Sequence, residues 1–293
     1  MSIADKYFKE EVKDILENGF SDEGYQVRPV WIDTDENGNE VRTPAHTKKI
    51  FARINRYDLS KEFPVLTLRN APFKYAVKET LWIFQKKSDD VRELGSKNWD
   101  LWTLKDENGN DTFKIGKTYG GAVAEKFDYP EGVMDQVDNV LWTLKNRPMD
   151  RRMIIQLFRP EYIKQSGLPP CLCSYFIDRT DTKVNMTVVM RSCDILAAAG
   201  AGEADEMGMA ILLHMLARHA GLQAGELVVV KNNFHAYDRH IPILEKIIDN
   251  VEYPAPEFWM NPDKTDFYSF TPDDFKLINY QNTKLTEKIP VAV

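Results

Sequence analysis

The segment Leu168–Ser174, LPPCLCS, places two cysteines two positions apart directly after a double proline. Proline fixes its own φ and restricts the residue before it, so the backbone leading into Cys171 has little freedom. A thiol becomes a useful nucleophile only as the thiolate, and nearby positive charge lowers its pKa from about 8.5. The segment therefore predicts a rigidly held, reactive thiol with arginines beside it.

Arginines stand at the ends of two predicted strands. Arg151 and Arg152 lie at the head of one strand, and Arg191 lies at the end of another. Guanidinium groups match phosphate geometry through bidentate hydrogen bonds, so both places are candidates for holding a nucleotide phosphate. Taken separately, each is equally typical of a solvated strand end.

The composition is that of a folded globular protein and excludes several classes. The 293 residues are 43% hydrophobic and 28% charged, with a formal net charge of −7. An acidic total argues against general nucleic-acid or membrane-surface binding. The N-terminus carries charges throughout, and no apolar run approaches the ~20 residues of a membrane span, so we expect a cytoplasmic protein. Three cysteines are too few and too closely spaced to favour disulfides or zinc, and no metal is expected.

Hydrophobic periodicity predicts the main elements. The predicted helices are 3–18, 73–85, 132–146 and 206–222, and the predicted strands are 48–55, 152–158, 174–179, 184–190 and 226–231. Asn-Gly dipeptides predict surface hairpins within 31–42 and 106–111. No repeat, linker or change of composition divides the chain. We therefore expect a single α+β domain over residues 1–293, with a mixed β-sheet flanked by helices.

Three motifs taken together resemble the thymidylate synthase family, which includes the pyrimidine-nucleotide hydroxymethylases. They are the LPPC segment, RSCD at 191–194 and NNFHAYDRH at 232–240. Further similar segments cover most of the chain: VRTPAHTKKIF (41–51), KETLWIFQ (78–85), WDLW (99–102), IGKTYG (115–120) and IPVAV (289–293). The resemblance implies a thymidylate synthase-like fold whose sheet face forms a homodimer interface. It also implies transfer of a one-carbon unit from methylenetetrahydrofolate to carbon 5 of a pyrimidine nucleoside monophosphate.

The resemblance also implies roles for individual residues. Cys171 occupies the position of the nucleophile, Glu79 that of a general acid/base working through water, and Tyr119 lies beside the proton of carbon 5. The nucleotide-binding positions are Arg42, Arg151, Arg152 and Arg191 for phosphate, Ser192 and Asp194 for phosphate and base, and His235 and Tyr237 for the sugar hydroxyl. Arg151 and Arg152 would reach in from the partner subunit. Trp99 and the tail ending at Val293 belong to the folate side, whereas Cys173 and Cys193 are interpreted as core residues.

The segment after Asp194 departs from the family pattern. ILAAAGAGEADEMGM is three residues longer than usual, and alignment on the following helix places Asp205 where most thymidylate synthases have an asparagine. An amide matches the uracil edge, while a protonated carboxyl matches the reversed donor and acceptor of cytosine. The sequence thus favours deoxycytidylate (dCMP) as substrate. By analogy with cytidylate-using relatives, it favours hydroxymethylation of carbon 5.

Alternatives stay open at this point. A different placement of the gap would give the base-reading position to Glu203 or to neither acid, and dUMP with thymidylate synthesis is then the alternative, as is a dCMP 5-methyltransferase. Leu172, Gly208 and Met209 also replace residues usual in the family. Two other classes are a non-catalytic relative that binds a nucleotide or partner protein, and an acyl-transfer enzyme pairing Cys171 with His235.

Overall fold

A mixed seven-stranded β-sheet forms the centre of the protein, seen in a computed structural model that describes residues 1–293. The helices are α1 (Ile3–Asn18), α2 (Phe73–Phe84), α3 (Gly120–Val123), α4 (Gln136–Asn146), α5 (Ala204–His219) and α6 (Ile241–Ile248). The strands are β1 (Phe20–Ser21), β2 (Val30–Thr34), β3 (Glu40–Pro44), β4 (Thr47–Ile50), β5 (Arg53–Asp58), β6 (Lys126–Tyr129), β7 (Gly132–Asp135), β8 (Ile154–Gln156), β9 (Leu172–Arg179), β10 (Lys183–Asp194), β11 (Gln223–Tyr237), β12 (Glu257–Met260) and β13 (Phe275–Ile278).

The two longest strands, β10 and β11, pair in parallel at the middle of the sheet. The order is β1-β4-β11-β10-β9-β8, and β5 pairs with the first half of β11 while β4 pairs with its second half. Every other pairing in this sheet is antiparallel. Because β10 and β11 run the same way, their carboxyl ends bring Asp194 and His235 side by side.

One face of the sheet is covered by helices and the other is not. Along β10, Val184, Met186 and Val188 are fully buried, as the alternation of a half-covered sheet requires. The helix α5 packs on β10 and β11, and α2 packs on α5. A single connected core joins these elements.

The opposite face carries apolar side chains on five strands, in two adjacent rows of the sheet. We call this the uncovered sheet face; it consists of Ile54, Ile154, Phe176, Val189 and Val230. Ile54 is 59% exposed and Phe176 is 43% exposed. An apolar patch of this kind on a folded protein typically marks an interaction surface.

The structure confirms the predicted α+β fold with a mixed sheet, and it corrects two element boundaries. The predicted helix 132–146 begins only at Gln136, because Gly132–Asp135 forms β7 and the Asp135 side chain caps α4 by accepting the Asp138 N–H at 3.0 Å. The predicted strand 48–55 is broken after Ile50, where Ala52 has a φ of +49°. No helix is long and apolar enough to cross a membrane.

Candidate active site

The double proline holds an arginine against the thiol of Cys171. Arg191 Nε donates to the Pro170 carbonyl at 2.8 Å, and its Nη2 donates to the Pro169 carbonyl at 2.6 Å. The same Nη2 lies 3.8 Å from the Cys171 Sγ. The backbone N–H of Arg191 also donates to the Cys171 carbonyl at 2.9 Å. The rigid segment therefore fixes the sulfur and its nearest positive charge as one unit.

The pKa of the Cys171 thiol does not fall as the sequence predicts. Burial raises it to about 11, because a buried thiolate loses its hydration, and the charges of Arg191 and Arg28 only partly offset this. The charge of Asp205 raises it further. The thiol is consequently neutral at neutral pH, and the site needs a proton acceptor when the sulfur reacts.

Tyr119 lies next to the thiol in a strained backbone conformation. Its φ is +39°, its side chain is 6% exposed, and its Oη accepts the Cys171 N–H at 3.2 Å. The following Gly120 has no room for a side chain, since a Cβ there would lie 2.0 Å from the Ser88 carbonyl oxygen. Backbone strain of this kind typically persists only where the surroundings fix it, often at functional sites.

The carboxyl of Glu79 is held by two neighbours on a single oxygen. Tyr75 Oη donates to Glu79 Oε1 at 2.6 Å, and Trp99 Nε1 donates to the same oxygen at 2.8 Å. Burial raises the pKa of Glu79, and these two hydrogen bonds oppose the rise. Trp99 also packs edge-on against Tyr119, at 5.5 Å between ring centroids.

Tyr75 is a site residue that the sequence analysis did not identify. It stands four positions before Glu79 on α2, and the i, i+4 spacing places the two side chains on one helix face. That spacing was the available signal. Since it contacts the candidate acid/base residue Glu79, Tyr75 is a candidate positioning residue.

Replacing Tyr75 with phenylalanine is expected to shift the pH dependence of catalysis. Loss of the hydrogen bond removes one of the influences that lower the pKa of Glu79, so the limb of the kcat profile due to this carboxyl should move to higher pH. The measurement is a pH–rate profile of the wild type and Tyr75→Phe. Trp99→Phe removes the other bond to the same oxygen and is the matched variant; superimposable profiles in both would contradict the assignment.

The structure places the two candidate base-reading acids very differently. Glu203 is fully buried and bound to Arg69 at 2.6 Å, and Arg69 also donates to the Leu196 carbonyl at 2.9 Å. Asp205 lies in the first turn of α5, is half-buried, and makes no hydrogen bond within the chain. Glu203 is thus engaged in holding the fold, whereas the carboxyl of Asp205 is free.

Asp205 acts electrostatically on the other site residues. Burial raises its pKa to about 7, and the charge of Glu79 adds to the rise. Lys231 opposes this effect, while Glu206 and Asp194 reinforce it. In turn, the negative charge of Asp205 raises the pKa of both Cys171 and Tyr119. The carboxyl therefore lies within electrostatic reach of the thiol, Tyr119 and Glu79.

The ends of β10 and β11 bring the predicted nucleotide-binding residues together. Ser192 is paired with Asn233 and Asp194 with His235 in the parallel register. The hydroxyl of Ser192 has no hydrogen-bond partner in the chain. The carboxylate of Asp194 accepts the backbone N–H groups of Leu196 at 3.0 Å and Ala197 at 3.3 Å. These bonds attach the Asp194 side chain to the following segment, Ile195–Ala199, which forms a π-helical turn.

The C-terminal tail is attached near the same place. His240 lies 3.3 Å from Asp194 through Nδ1 and 2.8 Å from the Pro290 carbonyl through Nε2. Burial lowers the pKa of His240, but Asp194 outweighs this and the net pKa is raised. Val293 and Val30 exchange two backbone hydrogen bonds, of 2.9 and 3.0 Å. The IPVAV tail therefore lies against the start of β2 and against His240, which in turn contacts Asp194.

The structure does not bring Arg42 to the thiol. Arg42 lies on the exposed β3 hairpin, where its Nε donates to Glu40 at 2.7 Å. Arg28, which the sequence analysis did not single out, is close enough for its charge to act on both Cys171 and Tyr237. No sequence signal marks Arg28, because it lies outside the motifs named above.

Arg151 and Arg152 are also distant from the thiol of their own chain. Both are exposed in the segment before β8, and Arg152 is bound to Asp150 through two hydrogen bonds of 2.9 and 2.8 Å. They border the sheet whose uncovered face is described above. Only contact with another chain would bring them to an active site.

The geometry gives no support to an acyl-transfer pair. His235 Nδ1 lies 3.1 Å from both the carbonyl oxygen and Oδ1 of Asn233, and no hydrogen bond joins His235 to Cys171. The nearest polar group to the sulfur is a guanidinium, which cannot serve as a general base at neutral pH. The site instead combines a thiol, two carboxyls and convergent arginines.

Comparisons with known proteins agree with this geometry. The thymidylate synthase family profile matches residues 7–293. The thymidylate synthase of Bacillus phage phi3T is 38% identical over 286 residues, and that of Clostridium beijerinckii is 38% identical over 288 residues, each covering 96% of both chains. The solved structure of thermostable thymidylate synthase A from Bacillus subtilis superposes with a TM-score of 0.87 over all of both chains, at 36% identity.

The similarity extends over fold and sequence alike, and no part of the chain between residues 7 and 293 lies outside the match. The chain therefore belongs to the thymidylate synthase family, whose folate-dependent one-carbon transferases act on a pyrimidine nucleoside monophosphate with a cysteine nucleophile and methylenetetrahydrofolate as co-substrate, and are typically dimeric.

Proposed function

We propose that the protein is a deoxycytidylate 5-hydroxymethylase, a single catalytic domain working in the cytoplasm of a bacterial or phage-infected cell. The observation that carries the proposal is the free carboxyl of Asp205, which lies within electrostatic reach of Cys171 while Glu203 is bound to Arg69. Of the two candidate base-reading acids, Glu203 and Asp205, only Asp205 is available to a substrate. The bacterial and phage origin of the relatives supports the cellular setting.

The raised pKa of Asp205 suits the recognition of cytosine. A carboxyl that is protonated near neutral pH donates its O–H to the ring nitrogen of cytosine and accepts from the exocyclic amine with its other oxygen. With the carboxyl proton on the oxygen that faces the ring nitrogen, uracil presents a donor to a donor and an acceptor to an acceptor, which leaves two buried polar groups unmatched. Such a mismatch costs about 1–3 kcal/mol, which corresponds to tenfold to a few hundredfold in kcat/KM.

Cys171 is the proposed nucleophile. Its sulfur donates an electron pair to carbon 6 of the pyrimidine, and the π electrons of the carbon 5–carbon 6 bond move toward the ring heteroatoms, which makes carbon 5 nucleophilic. The thiol proton must leave first, because burial keeps the free thiol neutral. Arg191, fixed by the two proline carbonyls, then stabilises the thiolate at 3.8 Å.

Glu79 and Tyr119 are proposed to handle protons on the other side of the ring. Burial raises the pKa of Glu79, so its carboxyl exchanges protons near neutral pH more readily than an exposed glutamate. Tyr119 stays neutral because burial raises its pKa well above the usual value. Its hydroxyl accepts the Cys171 backbone N–H, which supports a position close to carbon 6 of the ring, the carbon that the sulfur attacks.

The residues near Glu79 fit a flat aromatic co-substrate. Trp99, edge-on to Tyr119 and Trp102, borders the acid/base residue, and a groove of 1130 Å³ extends from Tyr75 along α2 past Lys74 and Lys78. We propose that Trp99 and the tail ending at Val293 hold the folate. Bound methylenetetrahydrofolate supplies the one-carbon unit that carbon 5 receives.

Two carboxyls facing one site support capture of water rather than reduction. The charge of Glu79 raises the pKa of Asp205, so the two carboxyls lie within electrostatic reach, and carboxyl oxygens accept hydrogen bonds from water. When tetrahydrofolate and the proton of carbon 5 have left, carbon 5 carries an exocyclic methylene. Water adds to this methylene and loses a proton, the electrons of its double bond return to the ring, and the sulfur leaves carbon 6, which yields the hydroxymethyl product. Reduction would instead yield methyl, the outcome of a thymidylate synthase or a dCMP 5-methyltransferase. The names of the relatives at 38% identity favour thymidylate synthesis from dUMP as the second candidate.

The deciding experiment compares two labelled nucleotides. The purified protein is incubated with methylenetetrahydrofolate and either dCMP or dUMP carrying tritium at carbon 5, and tritium release and product mass are measured. We expect faster release from dCMP and a product with the mass of a hydroxymethyl derivative. Faster release from dUMP would refute the base assignment, and a methylated dCMP product would refute only the capture of water.

Binding should also depend on pH in a base-specific way. Because Asp205 has a pKa of about 7 and only its protonated form matches neutral cytosine, dCMP affinity relative to dUMP should fall about tenfold between about pH 6 and about pH 8. The measurement is calorimetric binding of both nucleotides to a Cys171→Ala variant, which removes the titration of the thiol. Dividing the dCMP association constant by the dUMP association constant cancels the effect of phosphate ionisation, because both nucleotides carry the same phosphate. A constant ratio over this range would contradict base reading by a protonated Asp205.

We propose that phosphate is held by Arg28 and Arg191 of one chain and by Arg151 and Arg152 of a second copy. The uncovered sheet face, with Ile54 59% exposed and Phe176 43% exposed, supports pairing of two chains through this surface. Both exposed arginines border that face. Arg42 is the less favoured candidate, given its pairing with Glu40.

Mixing two inactive variants tests the shared site. Cys171→Ser lacks the nucleophile, and the double variant Arg151→Ala/Arg152→Ala lacks the arginines. After unfolding and refolding together in equal amounts, about half of the dimers are hybrids with one complete site of two, so about a quarter of wild-type activity should return. Each variant refolded alone is the control. No recovery in the mixture would mean that the arginines serve their own chain.

A further inference from the structure

Three charged side chains lie fully buried beneath the first turn of α5. Lys231 Nζ is 2.7 Å from Glu11 Oε1 and 2.7 Å from Glu206 Oε1, and all three side chains are 0% exposed. We call Glu11, Lys231 and Glu206 the buried ion group. The three residues come from α1, β11 and α5, so the group joins three elements at one point.

The group is almost completely hydrogen-bonded by its surroundings. Asn55 Nδ2 donates to Glu11 at 2.7 Å and to Glu206 at 2.9 Å, and Tyr57 Oη donates to Glu206 Oε2 at 2.5 Å. Burial lowers the pKa of Lys231, but the charges of Glu11 and Glu206 outweigh burial and raise it, so the ammonium stays charged.

Such a group is not explained by stability alone. Removing three charges from water is costly, and apolar side chains of similar volume often give equal or greater stability in the same place. Two carboxylates with one ammonium also leave a net negative charge in the core. A purely structural role would be filled at least as well by leucine and methionine.

The remaining carboxylate oxygens hold the longer segment before α5. Glu11 Oε2 accepts the Ala201 N–H at 2.8 Å, and Glu206 Oε2 accepts the Gly202 N–H at 2.9 Å. Gly202 has a φ of +71°, and a Cβ there would lie 2.5 Å from the Leu66 backbone nitrogen. The segment is therefore fixed in one conformation three residues before Asp205.

We propose that the buried ion group is a specificity-determining positioning device, which holds Ala201 and Gly202 so that Asp205 faces the pyrimidine base. This inference rests on the proposed role of Asp205 as the base-reading residue. Glu206 is also the direct neighbour of Asp205 on α5, so its bonds to Lys231 and Tyr57 fix the rotation of that helical turn. The residues of the group do not contact the substrate and act through Asp205.

An all-apolar replacement separates positioning from stability. The triple variant Glu11→Leu/Glu206→Leu/Lys231→Met removes all charges together and leaves no carboxylate unpaired. It also leaves the buried donors that bonded to the carboxylates without acceptors, so its melting temperature should fall, and the two nucleotides are compared well below that temperature. We expect its preference for dCMP over dUMP, measured as the ratio of kcat/KM, to fall at least about tenfold, mainly through a higher KM for dCMP. Amide hydrogen exchange at Ala201 and Gly202 should become faster.

A second variant covers the case in which the triple variant does not fold. Glu11→Gln keeps the shape, but an amide offers only one oxygen, so it cannot accept from both Lys231 and the Ala201 N–H. We expect a severalfold lower dCMP preference, on the order of one lost hydrogen bond. The matched control is Lys264→Met/Asp274→Leu, which removes an ion pair of 2.6 Å outside this cluster and should leave the preference unchanged.

The outcomes distinguish the inference from the function on which it rests. A wild type that prefers dUMP refutes the role of Asp205 before any variant is made. A wild type that prefers dCMP, with folded variants that keep the same preference and the same amide exchange, overturns the positioning role alone. Equal losses for dCMP and dUMP would also overturn it, because a general loss of structure affects both nucleotides.

Discussion

Replacing Asp205 with asparagine is expected to change the preferred base from cytosine to uracil. With its oxygen toward the ring nitrogen, the orientation that matches uracil, the amide donates where the protonated carboxyl accepts, so the amine of dCMP would meet a donor. We expect kcat/KM for dCMP to fall tenfold to a few hundredfold, at about 1–3 kcal/mol for the mismatch, and kcat/KM for dUMP to rise. The measurement is tritium release from carbon 5 of both nucleotides.

An independent readout shows whether the replacement acts in the site. Because the charge of Asp205 raises the pKa of Cys171, its loss should lower that pKa and speed alkylation of the thiol by iodoacetamide at neutral pH. Glu203→Gln is the matched control, because Glu203 is bound to Arg69 and should affect stability more than base choice. An Asp205→Asn enzyme that still prefers dCMP would refute the assignment of this residue.

Replacing Cys171 with serine is expected to abolish turnover while leaving nucleotide binding intact. A serine hydroxyl is a far weaker nucleophile at carbon 6, and burial beside Asp205 disfavours its ionisation further. We expect kcat to fall by at least about 10³-fold, with the dissociation constant of dCMP nearly unchanged. Steady-state kinetics and calorimetric binding on the same preparation provide both values.

The neighbouring cysteine supplies the control for this experiment. Cys173 lies two positions further on, and burial raises its pKa as well. Its Sγ donates to the Cys171 carbonyl at 3.6 Å, and Arg191 acts on it through its backbone N–H and its charge, whereas the guanidinium bonds to the sulfur of Cys171. Cys173→Ser should therefore keep most of the activity. The nucleophile assignment fails if Cys171→Ser retains wild-type turnover, or if only Cys173→Ser loses it.

The elements that the sequence predicts best are those with a strong local pattern. The helix from Phe73 and the central strands of the sheet follow from hydrophobic periodicity, and the structure confirms them within a few residues. The break at Ala52 and the strand at Gly132–Asp135 were missed, although Asp135 is a typical N-cap residue and marks where α4 begins.

Contacts between distant segments limit what the sequence reveals about the site. The motifs around Cys171 and Arg191 identify the thiol and its arginine because both lie in recognisable segments. Arg28 is not identified from the sequence, because it lies outside these segments. The sequence also does not identify the buried ion group, because its contacts join distant segments. Glu11 and Lys231 are separated by 220 positions, and each alone is typical of a surface charge.

The uncovered sheet face has a consequence for handling the enzyme. Apolar side chains such as Ile54 and Phe176, once covered by a second copy, contribute to stability by mass action. Heat resistance and catalytic competence would then rise together with protein concentration. Dilute assays and concentrated calorimetry would report on different populations of the same chain, so each comparison of variants belongs at one matched concentration.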